Sequence, residues 1–136
     1  MRMFRSIIGL TISAVLLLLA SNTLASARCA VPSFENALKG STAVFLGKAI
    51  SESTDGQTRW FKFRATKVWK GRVAKTFTVG VAQNRTYPGW FRIGEDYLVF
   101  ARSNSGRLYV DRCSRSRESE FAQQDLGKLG AGKKPR

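Results

Sequence analysis

Few residues in this sequence belong to the types that carry out chemistry. The chain has no histidine and only two cysteines. The absence of histidine excludes Ser-His-Asp and Cys-His catalysis as well as imidazole metal sites. Two cysteines are also too few for an all-cysteine zinc site. The sequence therefore predicts a protein that is not an enzyme and that has neither a metal site nor a cofactor.

The acidic residues do not complete a catalytic or metal-binding set. Glu95 and Asp96 are adjacent, and because neighbours on a strand point to opposite faces, we interpret them as a turn before a strand. Glu52 and Asp55 lie in a polar segment and supply too few carboxylates for a calcium site. We interpret the acidic residues near the C-terminus as surface charges of a helix with basic neighbours. They are Glu118, Glu120 and Asp125, beside Arg115, Arg117 and Lys128.

Basic residues are abundant instead. The 136 residues include 23 lysines and arginines against 9 aspartates and glutamates, which gives a formal net charge of +14. This excess keeps the chain soluble and favours acidic partners. Trp60, Lys62 and Arg64 alternate along one predicted strand and share its outward face. Rings interleaved with cations on such a face are typical of proteins that bind single-stranded nucleic acids or glycans.

Two basic clusters are therefore candidate polyanion-binding residues. The first continues from this strand around the following turn, and the second surrounds Cys113. Their members are Trp60, Lys62 and Arg64, followed by Lys67, Lys70, Arg72 and Lys75, and then Arg112, Arg115 and Arg117. The solvated surface of a soluble basic protein has the same composition, so both interpretations stay open. Outside the cytoplasm, an acidic glycan, a phosphorylated surface or an acidic protein fits this charge better than a genome.

The first 27 residues have the pattern of a cleavable signal peptide. Arg2 and Arg5 form a positive start, and residues 7–20 form a mostly apolar run. A short membrane anchor is the alternative, but a span needs about 20 residues. Ala25-Ser26-Ala27 then matches the small-x-small pattern of a cleavage site. We expect secretion or export to the periplasm, a mature chain that begins at or close to Arg28, and no stable membrane span after cleavage.

The two cysteines are expected to form one disulfide. Export leads to an oxidising compartment, and Cys29 and Cys113 make an even count. Two free thiols are the alternative. The bond would close a loop over nearly the whole mature domain, which the chain-entropy model values at roughly 4–5 kcal/mol. A small exported domain needs such a cross-link.

The mature chain is predicted to have a short helix near each end. Ser33 and Gly40 are the cap and the stop of a first helix over residues 34–40. A second helix is predicted to begin at Ser116 or Ser119 and to end at Gly130. The apolar residues that it carries are Phe121, Ala122, Leu126 and Leu129. The remaining residues, 131–136, are predicted to be a disordered basic tail.

Five or six short strands are expected between the two helices. Alternation and apolar runs place them at residues 43–50, 60–69, 76–81, 97–101 and 108–110. A polar turn over residues 51–57 and an irregular connection over residues 84–94 separate some of them. In the second strand the predicted core face is Phe61, Phe63, Ala65 and Trp69. Closing such a sheet removes its unpaired edges, so we predict a mainly β, five- to six-stranded Greek-key barrel as one domain over residues 28–130.

Five segments of the sequence, taken together, point to a known family. In order they are Cys29-Ala30-Val31-Pro32 and residues 43–48, 68–71, 91–101 and 113–117. In this order and spacing the chain resembles the bacterial relatives of the tissue inhibitors of metalloproteinases, within the netrin-like domains. The resemblance covers about residues 29–130. It implies an oligonucleotide/oligosaccharide-binding (OB) type barrel, which agrees with the barrel predicted from periodicity.

The resemblance also implies an inhibitory mechanism that this sequence matches in part. Inhibitory members begin with Cys-x-Cys, and their first cysteine chelates the zinc of the protease through its free amino group and carbonyl oxygen. The matching positions here are Ala27 and Cys29. A Cys-Gly that pairs with the first cysteine is replaced by Pro88-Gly89. Both halves of one family disulfide are therefore missing, and Cys29 with Cys113 is the pair that remains.

Two functions follow as expectations. The first is an exported netrin-like domain that binds another protein, with inhibition of a zinc metalloprotease as the activity that the resemblance implies. Its candidate partner-binding edge consists of Arg28, Cys29, Ala30, Val31 and Pro32. The alternative is a module that binds a polyanion, either an acidic glycan or a nucleic acid, through the two basic clusters.

Overall fold

The structure is a computed structural model that describes residues 30–82, 91–111 and 113–136. The predicted signal peptide lies outside the described residues, and so do Arg28, Cys29, Arg112 and the Pro88-Gly89 pair. Within the described ranges, no helix is long and apolar enough to cross a membrane.

Strands make up about half of the described chain, with a helix near each end. The helices are α1 (Phe34–Gly40) and α2 (Gln123–Leu129). The strands are β1 (Ala43–Asp55), β2 (Thr58–Lys70), β3 (Thr76–Ala82), β4 (Asp96–Asn104), β5 (Arg107–Val110) and β6 (Arg117–Glu118). A 3-10 turn, Ser119–Phe121, precedes α2. The predicted first helix is confirmed together with its cap, because the Ser33 hydroxyl accepts a hydrogen bond from the Asn36 N–H at 3.2 Å.

Five of the strands close into a ring. They follow the order β1-β2-β3-β5-β4, β4 pairs back to β1, and β6 pairs with Tyr97 and Leu98 of β4. The β3–β5 pair is parallel and the other pairs are antiparallel. This connection order is the five-stranded Greek-key arrangement of an OB-type barrel. The predicted fold class is therefore confirmed.

The interior of the barrel contains a cluster of aromatic rings among alanines and valines. Phe63 is fully buried, and its ring meets the rings of Phe45 at 5.6 Å and Phe91 at 5.0 Å, both edge to face. Such pairs contribute roughly 0.5–1.5 kcal/mol each beyond the apolar area that they bury. These contacts hold β1, β2 and the segment before β4 around one core.

A second apolar layer lies on the outside of the barrel. The outward side chains of β1 and β4 are apolar here, and both helices pack over them. The buried members of this layer are Ala37, Val44, Leu98, Phe100 and Ala122. On β2 and β3, by contrast, several outward side chains are exposed, among them Lys62, Arg64 and Thr78.

The first two strands are longer than the sequence predicted. The segment expected to form a polar turn, 51–57, continues β1 to Asp55, and only Gly56 and Gln57 remain in the turn. Pairing with β2 satisfies the backbone of this polar segment, which polarity alone does not reveal. An ion pair of 3.4 Å between Glu52 and Arg59 also joins the two strands.

A bulge in β2 changes which side chains face the core. Thr66 is an extra residue that has no opposite residue in β1, so the alternation shifts by one position after it. Val68 consequently faces the barrel interior. Trp69, which was predicted to face the core, belongs to the outer layer instead. The prediction failed because strict alternation does not anticipate a bulge.

The second helix is shorter than predicted. The 3-10 turn occupies its expected start, and α2 ends before Gly130 as expected. The turn alters the helical phase, so that Ala122 is buried whereas Phe121 is 68% exposed. Phe121 was predicted to belong to this helix, and it lies in the 3-10 turn that precedes it instead.

The last six residues, 131–136, are referred to below as the C-terminal segment. They were predicted to be disordered, and the structure instead places them along the end of β2. Val68 and Lys133 exchange backbone hydrogen bonds of 2.8 and 2.7 Å, and the Arg136 N–H donates to the Val73 carbonyl at 3.1 Å. Gly132 has φ +70° and passes so close to Trp69 that a Cβ would lie 3.0 Å from the indole. The segment is held through its backbone, which its basic composition does not reveal.

Candidate functional site

The first predicted cluster lies on the outer face of β2, and its members differ in exposure. Lys62 and Arg64 are exposed, whereas Trp60 is 7% exposed. The Arg107 guanidinium lies 4.0 Å from the centre of one Trp60 ring, and the Tyr109 ring packs beside it at 5.2 Å. The indole is therefore not available as a surface on which a base or a sugar could stack.

Trp60 lies directly over the adjacent strand. A Cβ at Gly80 of β3 would be 2.8 Å from the Trp60 and Tyr109 rings, so only glycine lets both rings approach the sheet there. Arg107 then covers the indole by a cation–π contact, which is worth roughly 0.5–1 kcal/mol at exposed sites. The Trp60 side chain therefore forms a packed unit with its neighbours rather than a ligand platform.

The second predicted cluster is not a free group of cations. Arg115 forms a bidentate pair with Asp125, through bonds of 2.6 and 2.8 Å. A third donor, Nη1, reaches the Pro32 carbonyl at 3.1 Å. Arg117 is half-buried and its Nε donates to the Arg115 carbonyl at 3.4 Å, while Arg112 lies outside the described residues.

Asp125 is a buried charge rather than the surface charge that the sequence predicted. It is 1% exposed, and the hydrogen bonds from Arg115 lower its pKa, although burial acts in the opposite direction. The same hydrogen bonds raise the pKa of Arg115. Arg115 thus bonds both Asp125 of α2 and the Pro32 carbonyl, so it joins α2 to the N-terminal segment. Loss of either charge would leave the other buried without a partner, which is strongly destabilising.

A larger basic surface appears where two acid-free stretches meet. Residues 56–94 and 126–136 contain no aspartate or glutamate. The pairing of Val68 with Lys133 joins these stretches side by side along the end of β2. We call the exposed cations of β2, of the turn after it and of residues 131–136 the basic surface. They are Lys62, Arg64, Lys67, Arg72, Lys75, Lys133, Lys134 and Arg136.

Part of the basic surface encloses a groove of about 220 Å³. One wall is the end of β2 with the turn that follows, and the other wall is the C-terminal segment. We call it the basic groove. Its lining residues are Val68, Trp69, Lys70, Gly71, Arg72, Val73, Lys133, Lys134 and Arg136. Five of them are cationic and none is acidic, so the field inside the groove favours an anion.

Sequence reasoning identified one wall of this groove and missed the other. Lys70 and Arg72 were singled out as cations that follow the first cluster. The cations of the C-terminal segment were assigned to a disordered tail. The missed signal is the lack of acidic residues in both stretches, which is visible in the sequence, whereas their contact is not.

The candidate partner-binding edge is described from Ala30 onward. Ala30 and Val31 are exposed, with 51% of Val31 accessible, and Pro32 is held by Arg115. A cavity of about 230 Å³ lies beside this edge, between α1, β4 and the chain around Cys113. Arg28 and Cys29 lie outside the described residues, so the Cys29–Cys113 disulfide stays a prediction.

The described residues contain no group of three or more His, Cys, Asp or Glu side chains that could hold a metal ion. Of the acidic pair at the start of β4, Asp96 forms an ion pair of 3.8 Å with Lys48.

No protein-family model matches the chain, and no curated protein matches it either.

Proposed function

We propose that this chain is an exported netrin-like binding domain that holds an acidic polysaccharide on its basic surface. The observation that carries the proposal is the junction of two acid-free stretches, which brings the exposed cations of the C-terminal segment beside those of β2 and the turn after it, eight in all. The signal-peptide pattern supports export, and an OB-like barrel agrees with the netrin-like resemblance. OB-type barrels use the face of their second and third strands to bind oligosaccharides and oligonucleotides.

The cations of the basic surface lack partners of opposite charge in the described ranges. The ion pairs there use other cations: Lys48 with Asp96, Arg59 with Glu52, Arg92 with Glu118, and Arg115 with Asp125. Uncompensated cations on one face produce a positive potential that attracts a polyanion and increases its association rate. The surface is therefore free to exchange its counterions for the charges of a ligand.

The burial of the Trp60 ring favours a polysaccharide over a single-stranded nucleic acid as the ligand. Binding of unpaired bases depends on aromatic rings that are free to stack. Trp60 is the ring that the sequence offered for this purpose, and Arg107 and Tyr109 cover it. An acidic polysaccharide needs only the spaced cations that remain exposed.

Neutralising two cations of β2 tests the proposal. We expect Lys62→Gln/Arg64→Gln to weaken binding of a heparin oligosaccharide about 30-fold, because two contacts of roughly 1 kcal/mol each are lost. Isothermal titration calorimetry at constant salt measures the change.

A control with the same change in net charge separates a site from general attraction. Lys39→Gln/Lys128→Gln removes two exposed cations from the helices, and we expect less than a threefold change in affinity. Equal weakening by both variants would contradict a site on the basic surface. A single-stranded oligonucleotide of equal charge that binds more tightly than heparin would exclude the polysaccharide.

A second candidate function is protein binding through the N-terminal edge. Val31 is half exposed although it is apolar, and Arg115 fixes the adjacent Pro32. An anchored segment with an accessible apolar side chain suits a protein interface, since apolar anchors carry much of the affinity in such interfaces. The netrin-like resemblance makes a zinc metalloprotease the first partner to test.

Inhibition assays with a panel of zinc proteases test this second function. If the edge binds a protease, we expect inhibition at micromolar concentrations that Val31→Glu weakens at least tenfold, because a carboxylate would be buried in the interface. Full protease activity throughout the panel would rule out inhibition. The heparin titration does not depend on this outcome.

A further inference from the structure

The basic groove is built differently from the rest of the basic surface. Lys62 and Arg64 project from one strand into solvent, whereas the groove has two opposite walls with cations on both. The backbone fixes both walls. Val68 and Lys133 bond each other at one end, and Arg136 bonds Val73 and Lys75 at the other.

Side-chain contacts hold the two ends of the groove in place. The Trp69 indole N–H donates to the Gly130 carbonyl at 3.1 Å, which anchors the chain as it enters the C-terminal segment. On the other wall, Lys70 Nζ donates to the Leu38 carbonyl at 2.7 Å and to the Lys39 carbonyl at 3.2 Å. The first contact holds the C-terminal segment against β2 before any ligand arrives, so less ordering of this wall is needed on binding. The other two hold the Lys70 ammonium against the end of α1.

The size of the groove limits the ligand. A volume of about 220 Å³ is smaller than the roughly 300–1,000 Å³ of sites for drug-sized molecules. At about 30 Å³ for each water, the groove has room for about seven waters. The same volume accommodates one tetrahedral oxyanion with part of its hydration shell. Arginine and lysine are the side chains that proteins use to bind such anions.

We propose that the basic groove binds a single sulfate or phosphate monoester group, with Arg72 on one wall and Lys134 and Arg136 on the other. This inference goes beyond the proposed function, because a ligand with one such group fits the groove without reaching Lys62 or Arg64. Where a longer acidic polysaccharide binds, the groove anchors one of its charged groups.

Nuclear magnetic resonance titrations of the 15N-labelled protein test this site. The probes are N-acetylglucosamine 6-sulfate, N-acetylglucosamine 6-phosphate and chloride, as sodium salts at one ionic strength. We expect saturable shifts from a monoester at millimolar concentration in the Trp69 indole signal and in the amides of residues 68–73 and of Lys133, Lys134 and Arg136. Comparison of the two sugars shows whether sulfate or phosphate is preferred.

Two variants locate the bound group. Arg72→Gln/Lys134→Gln is expected to raise the dissociation constant for the monoester at least tenfold, because both walls lose a cation. Lys62→Gln/Arg64→Gln is expected to leave that constant unchanged. The side chains replaced are exposed, and an unchanged Trp69 indole signal in the free protein shows that the C-terminal segment remains docked.

Three results would overturn the inference. They are equal shifts with chloride, shifts spread evenly over the basic surface, and unchanged monoester binding by Arg72→Gln/Lys134→Gln. Failure of the heparin titration with Lys62→Gln/Arg64→Gln would leave the monoester result intact. Each of the two proposals can therefore be refuted without refuting the other.

Discussion

Replacing Asp125 by asparagine is expected to lower the free energy of unfolding by about 3–5 kcal/mol. The carboxylate is 1% exposed and accepts two hydrogen bonds from Arg115. Asparagine has a similar shape but leaves the largely buried guanidinium without a counter-charge. Small domains have a total stability of roughly 5–15 kcal/mol, so this one change removes a large part of it. Urea unfolding at pH 7, followed by tryptophan fluorescence, measures the loss.

The same residue makes the stability depend on pH in a defined direction. The Arg115 hydrogen bonds lower the pKa of Asp125 in the folded protein, below its usual value of 3.8. A carboxyl whose folded pKa is depressed contributes stability above its unfolded pKa and loses it as pH falls through the folded value. The difference in stability between wild type and Asp125→Asn should therefore be complete above about pH 4 and shrink in stronger acid.

A neighbouring acid supplies the control. Glu120 is exposed, and Glu120→Gln should change the stability by less than about 0.5 kcal/mol. If Asp125→Asn costs no more than Glu120→Gln, the buried pair does not join α2 to the N-terminal segment. A stability difference that stays constant from pH 7 to pH 2 would also contradict the assignment.

The sequence was sufficient to predict the fold because its local signals agree with the final structure. The capped helix before β1 and the alternation of Phe61 and Phe63 in β2 each act over a few residues. The Thr66 bulge was not predictable in this way. It depends on how β1 and β2 pair, and that pairing involves residues about 20 positions apart.

The candidate site was less predictable because its important contacts are distant in sequence. Arg115 and Asp125 resemble ordinary surface charges until the packing of α2 buries the carboxylate. Trp60 alternates with cations as a ligand-binding ring would, and Arg107 from another strand covers it. The C-terminal segment has a composition typical of disorder, yet it docks through backbone bonds to Val68 and Val73. Composition therefore identified the charge of the site but not its shape.

The salt dependence of heparin binding shows how many cations of the basic surface contact the ligand. Each contact releases a counterion and contributes roughly 0.7–0.9 to the slope of log affinity against log salt concentration. Contact by at least half of the eight cations gives a slope of about −3 or steeper. The affinity should then fall about 60-fold or more between 50 and 200 mM salt.

The measurement that tests the polysaccharide proposal most directly compares this slope for the wild type and Lys62→Gln/Arg64→Gln. The structure predicts a wild-type slope of about −3 or steeper and a slope that is shallower by about 1.5 in the variant, because two contacts are lost. Lys39→Gln/Lys128→Gln should retain the wild-type slope. A wild-type slope of about −1, or the same slope in all three proteins, would contradict binding of the polysaccharide by the basic surface.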